Sequence, residues 1–194
     1  LLAKGYDYWA LGHVHAREVL HENPWVVFPG NLHGRHIRET GPKRCTLVTV
    51  ADGEVAAVEE RPVDVVRWAR VALDATGCET PADVLEQLSQ SLRVAVKEAD
   101  GRVCAARVRV SGWCRAHAAL ANRRASWIAD VRALATDVGS GSIWVEKVLL
   151  ETSPEIDIAR LAGGGGPVAE LLRDIDALRQ NEARLTELAG RFEG

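Results

Sequence analysis

Two histidines separated by one residue are the first feature of this chain that could carry chemistry. They stand in the segment Leu11-Gly12-His13-Val14-His15. In extended backbone, residues i and i+2 face the same side and lie about 6.5–7 Å apart. Imidazoles so placed can reach two metal ions about 3.5–4 Å apart, the separation used in two-metal hydrolysis of phosphoesters. The spacing predicts that His13 and His15 bind metal, and surface or buried structural histidines are the alternative.

A second polar segment follows closely. Pro29-Gly30 is a strong turn signal, and Asn31, Arg35 and His36 come soon after it. Because an arginine offers a phosphate two parallel donors, we expect these three side chains to contact phosphate or DNA. An ordinary turn with a solvated arginine is the alternative. Surface or structural roles are expected for the remaining histidines: His21, His33 and His117.

Composition limits the class of protein. The chain has 194 residues, 24 Lys and Arg against 27 Asp and Glu, and 47% apolar residues, which excludes a disordered charged tail. It has no uninterrupted apolar stretch of about 20 residues, so no membrane-spanning helix is expected. Four cysteines without C-x-x-C spacing favour reduced thiols in the cytoplasm. The absence of methionine suggests the C-terminal part of a longer protein.

Strands and turns must position the histidines. Residues 6–11 resemble a strand that stops at Gly12, and residues 25–28 form a buried type of strand that stops at Pro29. A third strand, residues 45–50, is expected to form a hairpin with residues 54–59 through Asp52-Gly53. These elements make up a first domain, predicted at residues 1–62.

The next segment alternates strands with helices and is predicted to be a small α/β domain at residues 63–152. Strands are expected at residues 65–73, 103–111 and 143–150, and helices from Thr80 and over residues 118–135. Two arginine groups, Arg107 with Arg109 and Arg123-Arg124 with Trp127, suggest a face that follows DNA. A solvated face with a buried tryptophan is the alternative.

The last segment, residues 153–194, is predicted to be helical. Four glycines, Gly163 to Gly166, form a flexible joint. An apolar series then recurs at helical spacing: Val168, Leu171, Ile175, Leu178, Leu185 and Ala189. This apolar face is expected either to bind a partner or to pack on its own domain.

Tyr8-Trp9-Ala10-Leu11-Gly12-His13-Val14-His15, followed by Phe28-Pro29-Gly30-Asn31 and Gly34-Arg35-His36, resembles the last metal-binding motif of calcineurin-like metallophosphoesterases. More narrowly, it resembles the SbcD-type bacterial DNA repair exonucleases. The resemblance implies an α/β (α+β) fold: the C-terminal part of a β-sandwich core, then a capping domain and terminal helices. It implies two divalent ions, Mn²⁺ in this family, with His13 on one ion and His15 on the other.

The resemblance also implies partners. DNA would be the substrate, guided by the capping domain, and the terminal helices would dock on an SMC-like coiled-coil ATPase. A homodimer is left open, and no membrane association is expected. Such a protein would be a cytoplasmic hydrolase of DNA repair.

One departure from the family is decisive for activity. The D-x-H, G-D and G-N-H-D motifs, which carry the bridging carboxylate and the catalytic acid, do not occur in the chain and would lie before Leu1. The 194 residues alone are therefore expected to lack nuclease activity and to bind Mn²⁺ weakly or not at all. Two other functions stay open: a phosphoesterase acting on nucleotides or phosphoproteins, and a non-catalytic DNA-binding or scaffold subunit.

Overall fold

The structure is a computed structural model that describes residues 1–156 and 158–180. The chain divides after Pro154 into two compact units. The first unit contains eight strands in three sheets and three α-helices, so the predicted mixed α/β class is confirmed. The proposed boundary near residue 62 stays a prediction.

A three-stranded sheet opens the first unit. It consists of β1 (Tyr8–Ala10), β2 (Glu18–Glu22) and β3 (Trp25–Phe28), in the order β1-β3-β2. Strand β3 lies parallel to β1 and antiparallel to β2. Its two valines, Val26 and Val27, are buried, as the apolar run predicted. The segment before β1 forms a short 3₁₀ helix, Leu2–Lys4.

A β-hairpin follows. Strands β4 (Arg44–Ala51) and β5 (Glu54–Pro62) pair antiparallel around Asp52-Gly53, as predicted. Both turn residues have left-handed φ values, 53° and 87°. Two such residues characterise the turn whose twist matches paired strands, which explains the Asp-Gly pair.

A parallel sheet forms the rest of the unit. Its strands are β6 (Val66–Asp74), β7 (Val103–Cys114) and β8 (Ile143–Pro154), in sequence order. Helix α1 (Pro81–Glu98) connects the first two strands, while α2 (His117–Asn122) and α3 (Arg124–Gly139) connect the last two. Because α1 packs on β6, α3 packs on β8, and the two helices contact each other, they cover the same face. The alternating residues of β7 that face them are buried: Cys104, Ala106, Val108 and Val110.

The start of helix α1 follows from local chemistry. Helix α1 starts after Thr80, whose hydroxyl accepts from the Asp83 N–H at 3.2 Å, while the Asp83 carboxylate accepts from the Thr80 N–H at 2.9 Å. This reciprocal cap confirms the predicted start. The predicted single helix at residues 118–135 is wrong: it is broken at Arg123, where no glycine or proline marks the break.

The predicted DNA-following face is not supported as stated. Trp127 is 3% exposed in the core, so its ring is not available for stacking on a base. Arg107 and Arg109 do lie on the sheet face away from the helices. However, Arg107 pairs with Glu146 at 2.8 Å and Arg109 with Glu151 at 2.7 Å, which neutralises their charges.

The second unit contains α4 (Ile158–Ala162) and α5 (Pro167–Arg179), separated by the glycine run. The first members of the apolar series lie in α5, whereas Leu185 and Ala189 lie outside the described residues. In the part that the structure describes, no helix has the length and apolar run needed to cross a bilayer. The four cysteines, all described, form no disulfide, as the sequence predicted.

Candidate metal and phosphate site

The two polar segments meet because β1 and β3 are parallel. Parallel strands end at the same edge of a sheet, so the loops after Ala10 and Phe28 start side by side. The Leu11 N–H donates to the Val27 carbonyl at 2.8 Å, and the Asn31 N–H donates to the His15 carbonyl at 3.0 Å. The histidine segment and the Asn31–Glu39 segment are thus joined through their backbones.

Gly30 makes this close approach possible. A Cβ there would lie 2.9 Å from the Arg17 nitrogen and 3.0 Å from the His15 carbonyl oxygen. Gly30 also has a φ of +78°, in the left-handed region that favours glycine. The turn signal in the sequence therefore reflects both a backbone conformation and a loop contact.

His13 does not have the conformation that the spacing argument assumed. Its φ is +80°, so the chain from Gly12 to His15 is bent rather than extended, and the prediction that both rings face one side of a strand is wrong. Within the described residues His13 is exposed and makes no hydrogen bond. A non-glycine residue in this region is strained, and such strain is concentrated at functional sites.

Around His15 the structure places a residue that the sequence analysis missed. Glu39 is only 9% exposed, and its Oε1 is hydrogen-bonded to His15 Nδ1 at 2.7 Å. The Asn31 side-chain amide donates to the same carboxylate oxygen at 3.3 Å, and the Arg35 backbone N–H donates to the other oxygen at 2.8 Å. Glu39 lies 24 residues from His15, so only the hydrophilic character of the 31–39 segment could have indicated it.

All three predicted phosphate-binding residues, Asn31, Arg35 and His36, lie near this carboxylate. Arg35 Nη2 lies 3.0 Å from His15 Nε2 and 3.8 Å from Glu39 Oε1. His36 Nε2 is 3.9 Å from the same Oε1, beyond hydrogen-bond distance. The Arg35 and His36 side chains are 64% and 54% exposed. The structure therefore brings together His15, Asn31, Arg35 and His36. The Arg35 and His36 side chains are open to solvent.

The electrostatics of the cluster favour an ionised carboxylate. The Arg35 backbone N–H and the His15 ring hydrogen-bond to Glu39, and the charges of His36 and Arg35 add to their effect. Together they lower the pKa of Glu39 to about 2, despite the opposing effect of burial. At neutral pH Glu39 is a fixed negative charge beside the ring of His15.

The first strand of the parallel sheet contacts the segment that carries Arg35 and Glu39. The Trp68 indole N–H donates to the Gly34 carbonyl at 3.0 Å, and the Gly41 N–H donates to the Trp68 carbonyl at 3.1 Å. A Cβ at Gly34 would lie 2.7 Å from the Glu39 carbonyl oxygen and 2.8 Å from Trp68 Cδ1. The segment that carries Arg35 and Glu39 is thus packed between its own turn and strand β6.

The residues present fit a metal ion only in part. The Arg35 guanidinium lies against the His15 ring, 3.0 Å from Nε2 and 3.1 Å from Nδ1, which indicates a position attractive to cations. Yet over residues 1–156 and 158–180 no three His, Cys, Asp or Glu side chains come together in a way that could hold a metal. His13 and His15 can therefore supply at most part of a ligand set. A cleft of about 710 Å³ beside β6 and α1 is lined by none of the histidines.

Comparisons with known proteins agree with the resemblance at a coarser level. Residues 68–153, less than half of the chain, match the family model described as the middle domain of the metallophosphoesterase YhaO. A stretch of 77 residues, 39% of the chain, is 48% identical to the uncharacterised metallophosphoesterase YhaO of Bacillus subtilis (strain 168). The chain spans about a fifth (19%) of that relative's length. Both matches support a metallophosphoesterase family, whose members hydrolyse phosphoesters with divalent metals. The matched family residues lie in the parallel sheet and its helices, outside the histidine loops.

Proposed function

We propose that this chain supplies part of a two-metal phosphodiesterase centre and that the complete gene product is a DNA repair exonuclease. The proposal starts from the relationship to metallophosphoesterases. The observation that carries it is the His15 ring, which is hydrogen-bonded through Nδ1 to the buried Glu39 and lies against the Arg35 guanidinium. A histidine held in this way is typical of a metal ligand.

The chain's own residues would divide the work. His13 and His15 would each bind one of two divalent ions, Mn²⁺ by resemblance, while Asn31, Arg35 and His36 would hold the phosphate. The bound ions would supply charge stabilisation and an activated water. The Arg35 guanidinium is 64% exposed and its contact with Glu39 is long, at 3.8 Å, so it can turn from His15 to two phosphate oxygens. Further ligands would have to come from outside the described residues.

The substrate proposal favours DNA over a nucleotide or a phosphoprotein. The resemblance is to the exonuclease branch of the family, and the histidine cluster lies on an open surface rather than in an enclosed pocket. An open site suits a polymer. We also propose an SMC-like coiled-coil ATPase as the partner, and the cytoplasm as the location, in line with four cysteines that form no disulfide.

The test uses the complete gene product with Mn²⁺ and three substrates: linear duplex DNA, bis-p-nitrophenyl phosphate and a nucleoside monophosphate. His13→Ala and His15→Ala should each lower DNA cleavage by more than about 100-fold, because a metal ligand is lost. His33→Ala is the matched control, since His33 is an exposed histidine of the neighbouring loop after β3, and it should cleave normally. Normal cleavage by both His13→Ala and His15→Ala would contradict the proposal.

The substrate profile tests the specificity separately. Cleavage of the monophosphate with no cleavage of DNA would assign the nucleotide phosphatase instead. The 194-residue chain alone should cleave none of the three substrates, because its described residues do not form a complete metal site. Cleavage by this chain in Mn²⁺ would show that the proposed division of ligands is wrong. A coiled-coil ATPase that co-purifies with the gene product would support the partner.

A further inference from the structure

Glu39 is the one carboxylate in the cluster, and its geometry determines which nitrogen of His15 carries the proton. An ionised carboxylate has only acceptors, so the 2.7 Å contact requires a hydrogen on His15 Nδ1. A neutral imidazole that donates through Nδ1 has its lone pair on Nε2. This lone pair is what a divalent metal ion needs from a histidine.

Arg35 does not select a tautomer. Its Nη2 lies 3.0 Å from His15 Nε2 and 3.1 Å from His15 Nδ1. An atom almost equally distant from both ring nitrogens lies over the face of the ring, because an approach in the ring plane would overlap Cε1. The tautomer is therefore determined by the contact between Nδ1 and Glu39.

We propose that Glu39 is a positioning residue that holds His15 in the Nδ1–H tautomer and directs Nε2 to the metal. This inference rests on the proposed function, since it assumes that His15 is a ligand. It assigns Glu39 no contact with the metal or the substrate. The role is that of the carboxylates that commonly lie behind metal-bound histidines.

The surroundings of Glu39 are built to keep the carboxylate in place. One oxygen takes the His15 ring and the Asn31 amide, and the other takes the Arg35 backbone N–H. The side chain is 9% exposed, so water competes little for these donors. Gly34 and Trp68 fix the turn from the other side. A carboxylate held by two further donors can orient a ring that is itself half exposed.

The first test measures the tautomer in the 194-residue chain itself. Two-bond ¹H–¹⁵N spectra of ¹⁵N-histidine protein, at a pH above the usual titration range of histidine, identify the protonated nitrogen, and His15→Ala assigns the His15 signals. We expect an Nδ1–H tautomer in the unmodified chain. An Nε2–H tautomer there would overturn the inference without any variant of Glu39.

The variants then test the cause. Glu39→Ala should release His15 into a mixture of tautomers, whereas Glu18→Ala, an exposed glutamate on β2, should leave it as Nδ1–H. Unchanged amide signals from the parallel sheet would show that the Glu39→Ala chain is folded. A folded Glu39→Ala chain that keeps the pure Nδ1–H tautomer would also overturn the inference.

The last measurement separates this inference from the proposed function. In the complete gene product, calorimetry should show that Glu39→Ala weakens Mn²⁺ binding by about 10–100-fold. If His15→Ala abolishes cleavage while Glu39→Ala changes neither tautomer nor affinity, the positioning role is wrong and the proposed function stands. If Glu39→Ala changes the tautomer but His15→Ala cleaves normally, the proposed function fails and, with it, the metal-directing part of the inference.

Discussion

Replacing Gly30 with alanine should loosen the contact between the loop of His15 and the loop of Arg35. Two costs are expected. A non-glycine residue at a φ of +78° costs about 1–2 kcal/mol. The new Cβ would also meet the backbone of Arg17 and His15 at 2.9 and 3.0 Å. Relieving such an overlap requires the backbone to shift, which costs about 1–3 kcal/mol more.

The effect of Gly30→Ala on the unfolded chain offsets part of this free-energy cost. Alanine has fewer unfolded conformations than glycine, which stabilises the protein by about 0.4–1 kcal/mol. The net loss in free energy of unfolding for Gly30→Ala is therefore about 1–4 kcal/mol. Gly41→Ala is the matched control, because Gly41 has a φ of +75° but no atom within 4 Å of an added Cβ. The free energy of unfolding of Gly41→Ala should fall by about 0–1.6 kcal/mol, so that the difference between the two variants isolates the overlap.

Urea unfolding followed by tryptophan fluorescence measures both losses, since Trp9 and Trp25 lie in the strands that carry the two loops. A second control, Gly12→Ala, has open space and no positive φ, and should be neutral or slightly stabilising. Amide exchange at Asn31, which bonds to the His15 carbonyl, reports the loop contact directly and should be faster in Gly30→Ala. Equal losses for Gly30→Ala and Gly41→Ala would refute the argument from close approach.

Two further predictions concern the residues around the parallel sheet. Thr80→Ala removes the hydroxyl that caps α1 and should lower the free energy of unfolding by about 1 kcal/mol in chemical denaturation. Thr136→Ala, inside α3, should not lower it. Asp64 is buried, and although burial alone would raise its pKa, its bonds to the Arg67 guanidinium at 2.9 and 3.1 Å hold the pKa below the usual value. Its contribution is therefore present above about pH 4 and lost as the pH falls further, so Asp64→Asn should flatten the acid limb of a stability–pH curve. Asp64→Ala should lower the free energy of unfolding by about 3–5 kcal/mol, because it leaves the buried Arg67 charge without this partner. Glu79→Ala, which breaks an exposed pair, should lower it by about 0–1 kcal/mol. A similar small loss for both variants would disprove the buried-pair assignment.

Local sequence signals predicted most of the fold well. Strand β3 matches its predicted limits, Asp52-Gly53 forms the expected turn, and Thr80 begins the expected helix. In each case a few neighbouring residues determine the structure. Strand β2 was missed because its sequence, Glu18 to Glu22, is mostly charged or polar, and its pairing with β3 is a tertiary effect. The break at Arg123 has no local signal either.

The residues of this cluster were predicted in part, but their arrangement was not. The residue types predicted His15, Asn31 and Arg35 as neighbours, and the structure brings them together. Spacing along a strand gave the wrong conformation for His13, because the chain turns at a left-handed residue that only the fold reveals. Glu39 escaped notice since a single glutamate in a polar segment carries no pattern, and its importance lies in a contact across 24 residues.

The hydrogen bond from Trp68 to Gly34 means that residues 1–62 and the parallel sheet cannot be exchanged independently between proteins. A chimera that joins residues 1–62 to the sheet of another protein would replace Trp68 and remove the only side-chain donor to that carbonyl among the described residues. The transplanted loop would then keep its sequence while losing the support beneath Arg35. Successful domain grafting at this boundary should require an indole at the third residue of the strand that replaces β6, or a compensating donor from the recipient's own surface.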